Sequence, residues 1–328
     1  MNMQKYFVVY ANRKPEDNII IKNMFKNNME INIGWTDIDI ENNYKKIVEK
    51  IEEESLNQII MSGFEIGWDK LVVTLKEKYE NIKIKVICNT NDSLLYYDYE
   101  RENFFKLLKL SKENKIDMIA FFRKGQYELY KMLGYKCCYL KENYILDSEM
   151  YKTDITQKKG EKMQIGIYPL NYTWDKNIFN QLCIPKFLDD SVLNFNCIDP
   201  RMDDFVTTMK IRNRKIKFNK IDENEIIDEV KKNDIIIATS FTEYVHPIFF
   251  LSMEVGIPCL IGDNSDFFNM NDELKECIVS NAEDNPIINA NKVKKIIENK
   301  DKIKTLYMEW KKKYNNNVEK LVWNFINL

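Results

Sequence analysis

Glycine is scarce in this sequence, with 9 among 328 residues. No G-x-G-x-x-G follows any predicted strand, and no G-x-x-x-x-G-K-[ST] occurs, which opposes a dinucleotide-dependent dehydrogenase and a P-loop nucleotidase. Histidine occurs once, as His246, so no Ser-His-Asp triad can be assembled around it. The 7 cysteines form no C-x-x-C pair, their number is odd, and most lie in apolar runs such as Lys85-Val86-Ile87-Cys88. They read as buried free thiols rather than as disulfides or zinc ligands. Charge of one sign is also lacking: 49 Lys and Arg face 51 Asp and Glu, for a net charge of −2. A chain-wide grip on nucleic acid is therefore excluded. The start of the chain has no apolar core of a signal peptide, and no apolar run reaches membrane-spanning length. The expected location is the cytoplasm, and lysine-rich surface is compatible with peripheral contact at the inner face of a membrane.

What is present is an ordinary globular composition, 45% hydrophobic and 30% charged. Short β-rich runs at 6–10, 58–61, 82–88, 116–122 and 136–140 alternate with amphipathic stretches at 43–54, 68–79, 101–112 and 126–133. After a polar stretch the alternation restarts, with strands expected at 163–168, 192–198, 215–218, 234–239 and 257–261. Helices are expected at 175–188, 203–211, 223–232, 247–255 and 286–299, and a helical tail follows. Strands alternating with helices imply parallel sheets covered on both faces. The expectation is an α/β protein of two Rossmann-like, doubly wound domains: 1–145, a linker at 146–162, 163–300, and a tail at 301–328 crossing back to the first domain. Trp310 and Trp323 are expected to anchor that tail. Ligands of such folds sit beyond the carboxyl ends of the strands, here in a cleft between the domains.

Residues 234–262 carry the most information. They read as a buried strand, a polar loop holding Ser240, Thr242, Glu243, Tyr244, Val245 and His246, a helix opened by Pro247, and a second buried strand. Proline suits a first helical position, and free N–H groups at a helix start attract an anion. A carboxylate such as Glu243 beside that anion suits ligand hydroxyls instead. The bland reading is an ordinary βαβ unit with a solvated glutamate.

This segment resembles the nucleotide-sugar signature of GT-B fold glycosyltransferases, specifically the retaining E-x7-E class (family 4-like). Glu243 matches the first glutamate and Gly256-Ile257-Pro258-Cys259-Leu260 the glycine and strand that follow; the second glutamate position is Leu251. Ile165-Gly166-Ile167-Tyr168 and Trp174-Asp175-Lys176-Asn177 are similar to the opening of the nucleotide-binding domain, with Lys176 matching the lysine that neutralises the donor diphosphate. The arginine that usually accompanies it has no counterpart. Phe218, Lys220 and Ile221 resemble the loop beside the base, Asn171 lies in the donor loop, and Glu254 is the nearest carboxylate that would replace the missing glutamate. Gly63, Phe64, Glu65, Trp68 and Asn89 resemble the acceptor side of some bacterial members.

The resemblance implies transfer of a sugar from a nucleotide-diphosphate donor to a glycan, lipid-linked or protein acceptor, with retention and without metal or cofactor. Glu243, Lys176 and His246 would carry the chemistry, although His246 serves equally as a helix cap. The alternative is a catalytically silent subunit of the same fold that binds a partner transferase; a homo- or hetero-oligomer fits either reading. A nucleotide-sugar epimerase is a third. Asp37-Ile38-Asp39 matches the metal-binding triplet of the other major glycosyltransferase fold, but an acidic helix start explains it better. Tyr96-Tyr97-Asp98-Tyr99 offers rings for stacking on a sugar or for packing.

Overall fold

The computed structural model describes residues 5–11, 21–22, 24–142, 162–169, 173–197, 199–211, 213–218, 223–241, 247–264, 267–268 and 272–328. The chain divides into two compact units, Met1–Ile145 with Tyr314–Leu328, and Leu146–Lys313.

In the first unit, β1 (Tyr6–Ala11), β2 (Asn28–Ile31), β3 (Gln58–Ser62), β4 (Lys83–Cys88), β5 (Met118–Phe121) and β6 (Cys137–Tyr139) form a sheet in the order β2-β1-β3-β4-β5-β6. Every pairing is parallel. All five residues of β3 are buried, as a strand covered by helices on both faces requires. Helix Asp37–Glu54 is opened by a capping box, in which the Thr36 hydroxyl accepts from the Asp39 amide while the Asp39 carboxylate accepts from the Thr36 amide. Asp37 pairs with Lys70 at 2.9 Å. The Asp-x-Asp triplet is thus a helix start. Helix Lys124–Met132 ends near Gly134, whose φ of +83° suits glycine.

The second unit holds β7 (Met163–Ile167), β8 (Ser191–Asn196), β9 (Arg214–Lys217), β10 (Ile235–Ala238), β11 (Cys259–Gly262) and β12 (Val279–Ser280), in the order β12-β11-β10-β7-β8-β9. From β7 the chain steps outward to β8 and β9, then returns to β10 on the other side. This is the doubly wound order of dinucleotide-binding folds. Gly166 in β7 is a packing requirement: a Cβ there would lie 2.5 Å from Ile236 Cδ1 and 2.6 Å from Tyr168 Cε2.

The tail is a single helix, Lys300–Asn327, and the two units share its residues. In the second unit Trp310 packs against Phe249, Phe250, Phe268 and Tyr307, with ring centroids 5.1–6.5 Å apart. In the first unit Val318, Val322 and Phe325 are buried, whereas Trp323 is 60% exposed. The expected Trp pair is thus one anchor and one surface residue. Lys85, 1% exposed in the middle of β4, donates to the carbonyls of Phe325 (2.6 Å) and Ile326 (3.1 Å) at the helix end. Those carbonyls lack intrahelical donors and carry the negative end of the helix dipole. Burial nevertheless pushes the Lys85 ammonium down to about 8.

Two further expectations are corrected. The helix expected at 175–188 is broken into the turn Trp174–Lys176, helix Ile178–Cys183 and the turn Ile184–Phe187. Asn177 adopts a left-handed φ of 54°, and Pro185 enters the last turn. Strands β2 and β12 and helix Glu273–Ile278 were not anticipated. All seven cysteines are free. Among the described residues, no helix is long and apolar enough to cross a membrane, and no group of three or more His, Cys, Asp or Glu is placed to hold a metal ion.

Candidate functional site

The order of the second sheet reverses between β7 and β10, so the loops leaving those strands meet at a switch point, where such folds bind ligands. Hydrogen bonds join the two loops. The Phe241 amide donates to the Asp175 carbonyl at 2.8 Å. The buried Asn177 amide group donates to the carbonyls of Thr239 and Glu283, each at 2.8 Å. Its left-handed backbone ends the Trp174–Lys176 turn and aims the side chain across the switch point. Gln181 fixes the Lys176 carbonyl at 2.7 Å, and Asn264 donates to the carbonyl of Ser240.

Lys176 therefore stands on a fixed backbone beside β10. Its ammonium lies 3.6 Å from the Asp175 carboxylate, and both side chains are largely buried. Thr239, 0% exposed, has a hydroxyl oxygen with no hydrogen-bond partner among the described residues. A buried unpaired hydroxyl costs stability unless something later satisfies it. The helix Pro247–Glu254 begins at Pro247, as expected for a proline at the first helical position.

Of the sequence-derived donor residues, Lys176 and Ser240 are brought to this switch point. Phe218 follows β9 at the sheet edge and is half-buried. Asn171, Lys220, Ile221, Thr242, Glu243, Tyr244, Val245 and His246 lie outside the described residues. Glu254 is committed elsewhere: its carboxylate accepts from the Tyr307 hydroxyl at 2.6 Å and pairs with Lys311 at 2.6 Å, its side chain being 4% exposed. The carboxylate expected to replace the missing motif glutamate is thus engaged by the terminal helix. Asp175, Asn177 and Thr239 were given no role from the sequence; for Thr239 a polar residue straight after an apolar strand was the available signal.

In the first unit, Gly63, Phe64, Glu65 and Asn89 lie at the carboxyl ends of β3 and β4. Tyr99 donates its hydroxyl to the Glu65 carboxylate, and Asn89 donates to Ser62 Oγ at 3.4 Å. Trp68 does not join them. It is wholly buried in the core, its indole nitrogen reaching the Asn32 carbonyl at 3.5 Å, because the apolar face of helix Trp68–Lys78 packs on the sheet. Asp92, after β4, has its carboxyl raised by desolvation against a hydrogen bond from Gln126.

No protein-family model matches the chain, and no curated protein matches it. Solved structures do. HepE of Anabaena, in complex with UDP-glucose, is 10% identical with a TM-score of 0.66, covering 98% of this chain and 98% of that one. Sucrose-phosphate synthase of Thermosynechococcus elongatus is 10% identical with a TM-score of 0.65, covering 98% and 96%. A UDP-forming trehalose-phosphate synthase of Burkholderia vietnamiensis is 9% identical with a TM-score of 0.64, covering 98% and 96%. With its two parallel six-stranded sheets, the chain has the GT-B fold shared by these glycosyltransferases.

Proposed function

We propose that this protein is a glycosyltransferase that moves a sugar from a nucleotide-diphosphate donor to a glycan, lipid-linked or protein acceptor. The observation that carries the reading is the switch point of the second sheet, where hydrogen bonds hold the turn carrying Lys176 against the end of β10 and its buried Thr239 hydroxyl. The full-length likeness to HepE bound to UDP-glucose supports it.

Transfer breaks the bond between the anomeric carbon and the terminal phosphate oxygen. The electron pair leaves with the diphosphate, the acceptor hydroxyl oxygen forms the new bond to carbon, and its proton passes to the departing phosphate oxygen. The charge that builds on the departing diphosphate is stabilised by Lys176 and by amide dipoles at the Pro247 helix start. Glu243 orients the hydroxyls of the donor sugar, His246 contacts phosphate or sugar, and Lys220 and Ile221 lie beside the base. Retention of configuration, independence of metal and the E-x7-E assignment belong to the same proposal. A cytoplasmic location with peripheral membrane contact accompanies it.

Calorimetry with a panel of nucleotide sugars, followed by donor-turnover assays, tests the reading. Glu243→Ala is expected to lower turnover at least tenfold. Unchanged turnover defeats the assignment. One observation favours the second reading, a silent subunit of a partner transferase: Leu251 occupies the second motif position, and the nearest carboxylate, Glu254, is held by the terminal helix. Absence of nucleotide binding, with a second transferase co-purifying, selects that reading.

A further inference from the structure

The first unit carries a cluster of side chains that the fold does not require. Trp35 is 65% exposed, yet its backbone is rigidly held. The Gly34 amide donates to the Ile66 carbonyl at 2.9 Å, and the Trp35 amide to the Ile33 carbonyl at 3.0 Å. A Cβ on Gly34 would meet the Ile66 oxygen at 2.8 Å, and one on Gly67, whose φ is +78°, would meet the Gly34 oxygen at 2.7 Å. Two glycines thus weld the Trp35 loop to the loop that follows β3. Immediately after Trp35, Thr36 caps the next helix. A single exposed indole is ordinary by itself; this one stands on a fixed backbone beside further aromatic and polar groups.

The rest of the cluster adjoins it. The Tyr99 ring lies 6.2 Å from the indole and is inclined to it by 33°, so the two rings form one aromatic face. The Tyr99 hydroxyl donates to Glu65 and thereby fixes both groups. At Gly63, whose φ is +82°, a Cβ would stand in ordinary contact with the Glu65 carboxylate (3.8 Å) and the Asn89 amide nitrogen (3.7 Å), so the three groups are neighbours. The Asn89 side-chain oxygen is buried and has no hydrogen-bond partner among the described residues.

We infer that Trp35, Tyr99, Glu65, Asn89 and Gly63 form a saccharide subsite, and that the acceptor is a carbohydrate ring with one apolar face. The acceptor role rests on the transferase reading above; the subsite does not. A pyranose has a face of C–H groups and a rim of hydroxyls. The C–H face suits the electron-rich face of an indole. The hydroxyls suit a carboxylate, which only accepts, beside an amide that both donates and accepts. A few converging polar groups at an aromatic wall are the usual make-up of a small-molecule site. Glu65 repels a phosphate, and a bare acyl chain would leave the Asn89 side-chain oxygen unsatisfied.

The test uses the full chain on a printed panel of neutral and aminosugar glycans, with the nucleotide UDP measured separately by calorimetry. The wild type is expected to retain at least one glycan. Trp35→Ala should weaken that binding tenfold or more. Tyr99→Phe keeps the ring, releases Glu65 and should weaken it by a smaller factor. UDP affinity should be the same in all three proteins. Melting temperature, unchanged in Trp35→Ala because the indole is exposed, separates binding loss from misfolding. No glycan retained, or equal retention by Trp35→Ala, overturns the proposal. Trp35-dependent glycan binding without any nucleotide binding upholds the subsite and defeats the transferase reading alone. UDP binding with no glycan retained does the reverse.

Discussion

Replacing Glu254 separates a structural carboxylate from a ligand-binding one. Its side chain is 4% exposed and accepts at 2.6 Å from both Tyr307 and Lys311, the latter side chain 15% exposed. Glu254→Gln keeps the volume and an acceptor for Tyr307 but leaves the Lys311 ammonium without its counter-charge. Breaking a buried pair from one side costs about 3–5 kcal/mol. Lys311 retains some access to water, so about 2–3 kcal/mol is expected here. At roughly 2–4 °C per kcal/mol for a unit of this size, melting should fall by about 5–10 °C. Lys311→Met in the same background should recover part of the loss, because it removes the stranded charge. Circular dichroism melts and urea titrations read the effect, and calorimetry with UDP reads binding beside it. If melting stays within about a degree of wild type while nucleotide affinity drops tenfold, the carboxylate serves the ligand and the structural reasoning is wrong.

Other expectations follow from the same geometry. Below about pH 8 the buried Lys85 is protonated in both the folded and the unfolded chain, and folding bears the full penalty of its burial. As pH rises from there toward its ordinary value of 10.5, the folded state loses the proton first, so this group contributes up to about 3 kcal/mol of added stability. Urea unfolding from pH 7 to 10, compared with Lys85→Met, should show the rise only in the wild type; identical slopes refute it. Gly166→Ala forces a methyl to within 2.5 Å of Ile236 and should destabilise by about 1–3 kcal/mol, measured by urea midpoint. Burial pushes the Cys88 thiol up to about 12 and that of Cys259 further, so a thiol reagent at pH 8 should leave both unmodified until the chain is unfolded.

The parallel α/β character was legible because strands buried on both faces carry apolar runs, as in Ile59–Met61 of β3, Val86–Cys88 of β4 and the whole of β10. Edge strand β2, Asn-Met-Glu-Ile, is half-polar and leaves no such trace. Strand order was not legible, since nothing local tells β7 to pair with β10, 68 residues beyond its own end to that strand's start (167 to 235). Lys176 was found through its loop. Its neighbour Asn177 was not, because a left-handed asparagine inside a helical pattern looks like any helical asparagine. The fate of Glu254 depended on Tyr307, 53 positions away, and local spacing carries no information about that partner. Trp35 went unnoticed for the opposite reason: one exposed aromatic signifies nothing until Tyr99 and Glu65 are seen beside it.

The sharing of the terminal helix between the units bears on how the protein is made. The first unit needs residues 314–328, and Lys85, at the centre of its sheet, takes its carbonyl partners from Phe325 and Ile326. While the ribosome is still translating the intervening residues, that lysine has no such partners, and the sheet around it lacks part of its cover. The second unit, 146–313, is contiguous and can mature first, although its amino acids are added later. Order of synthesis and order of completion are thereby reversed, and a nascent chain stalled near its end would present an unfinished first sheet to chaperones.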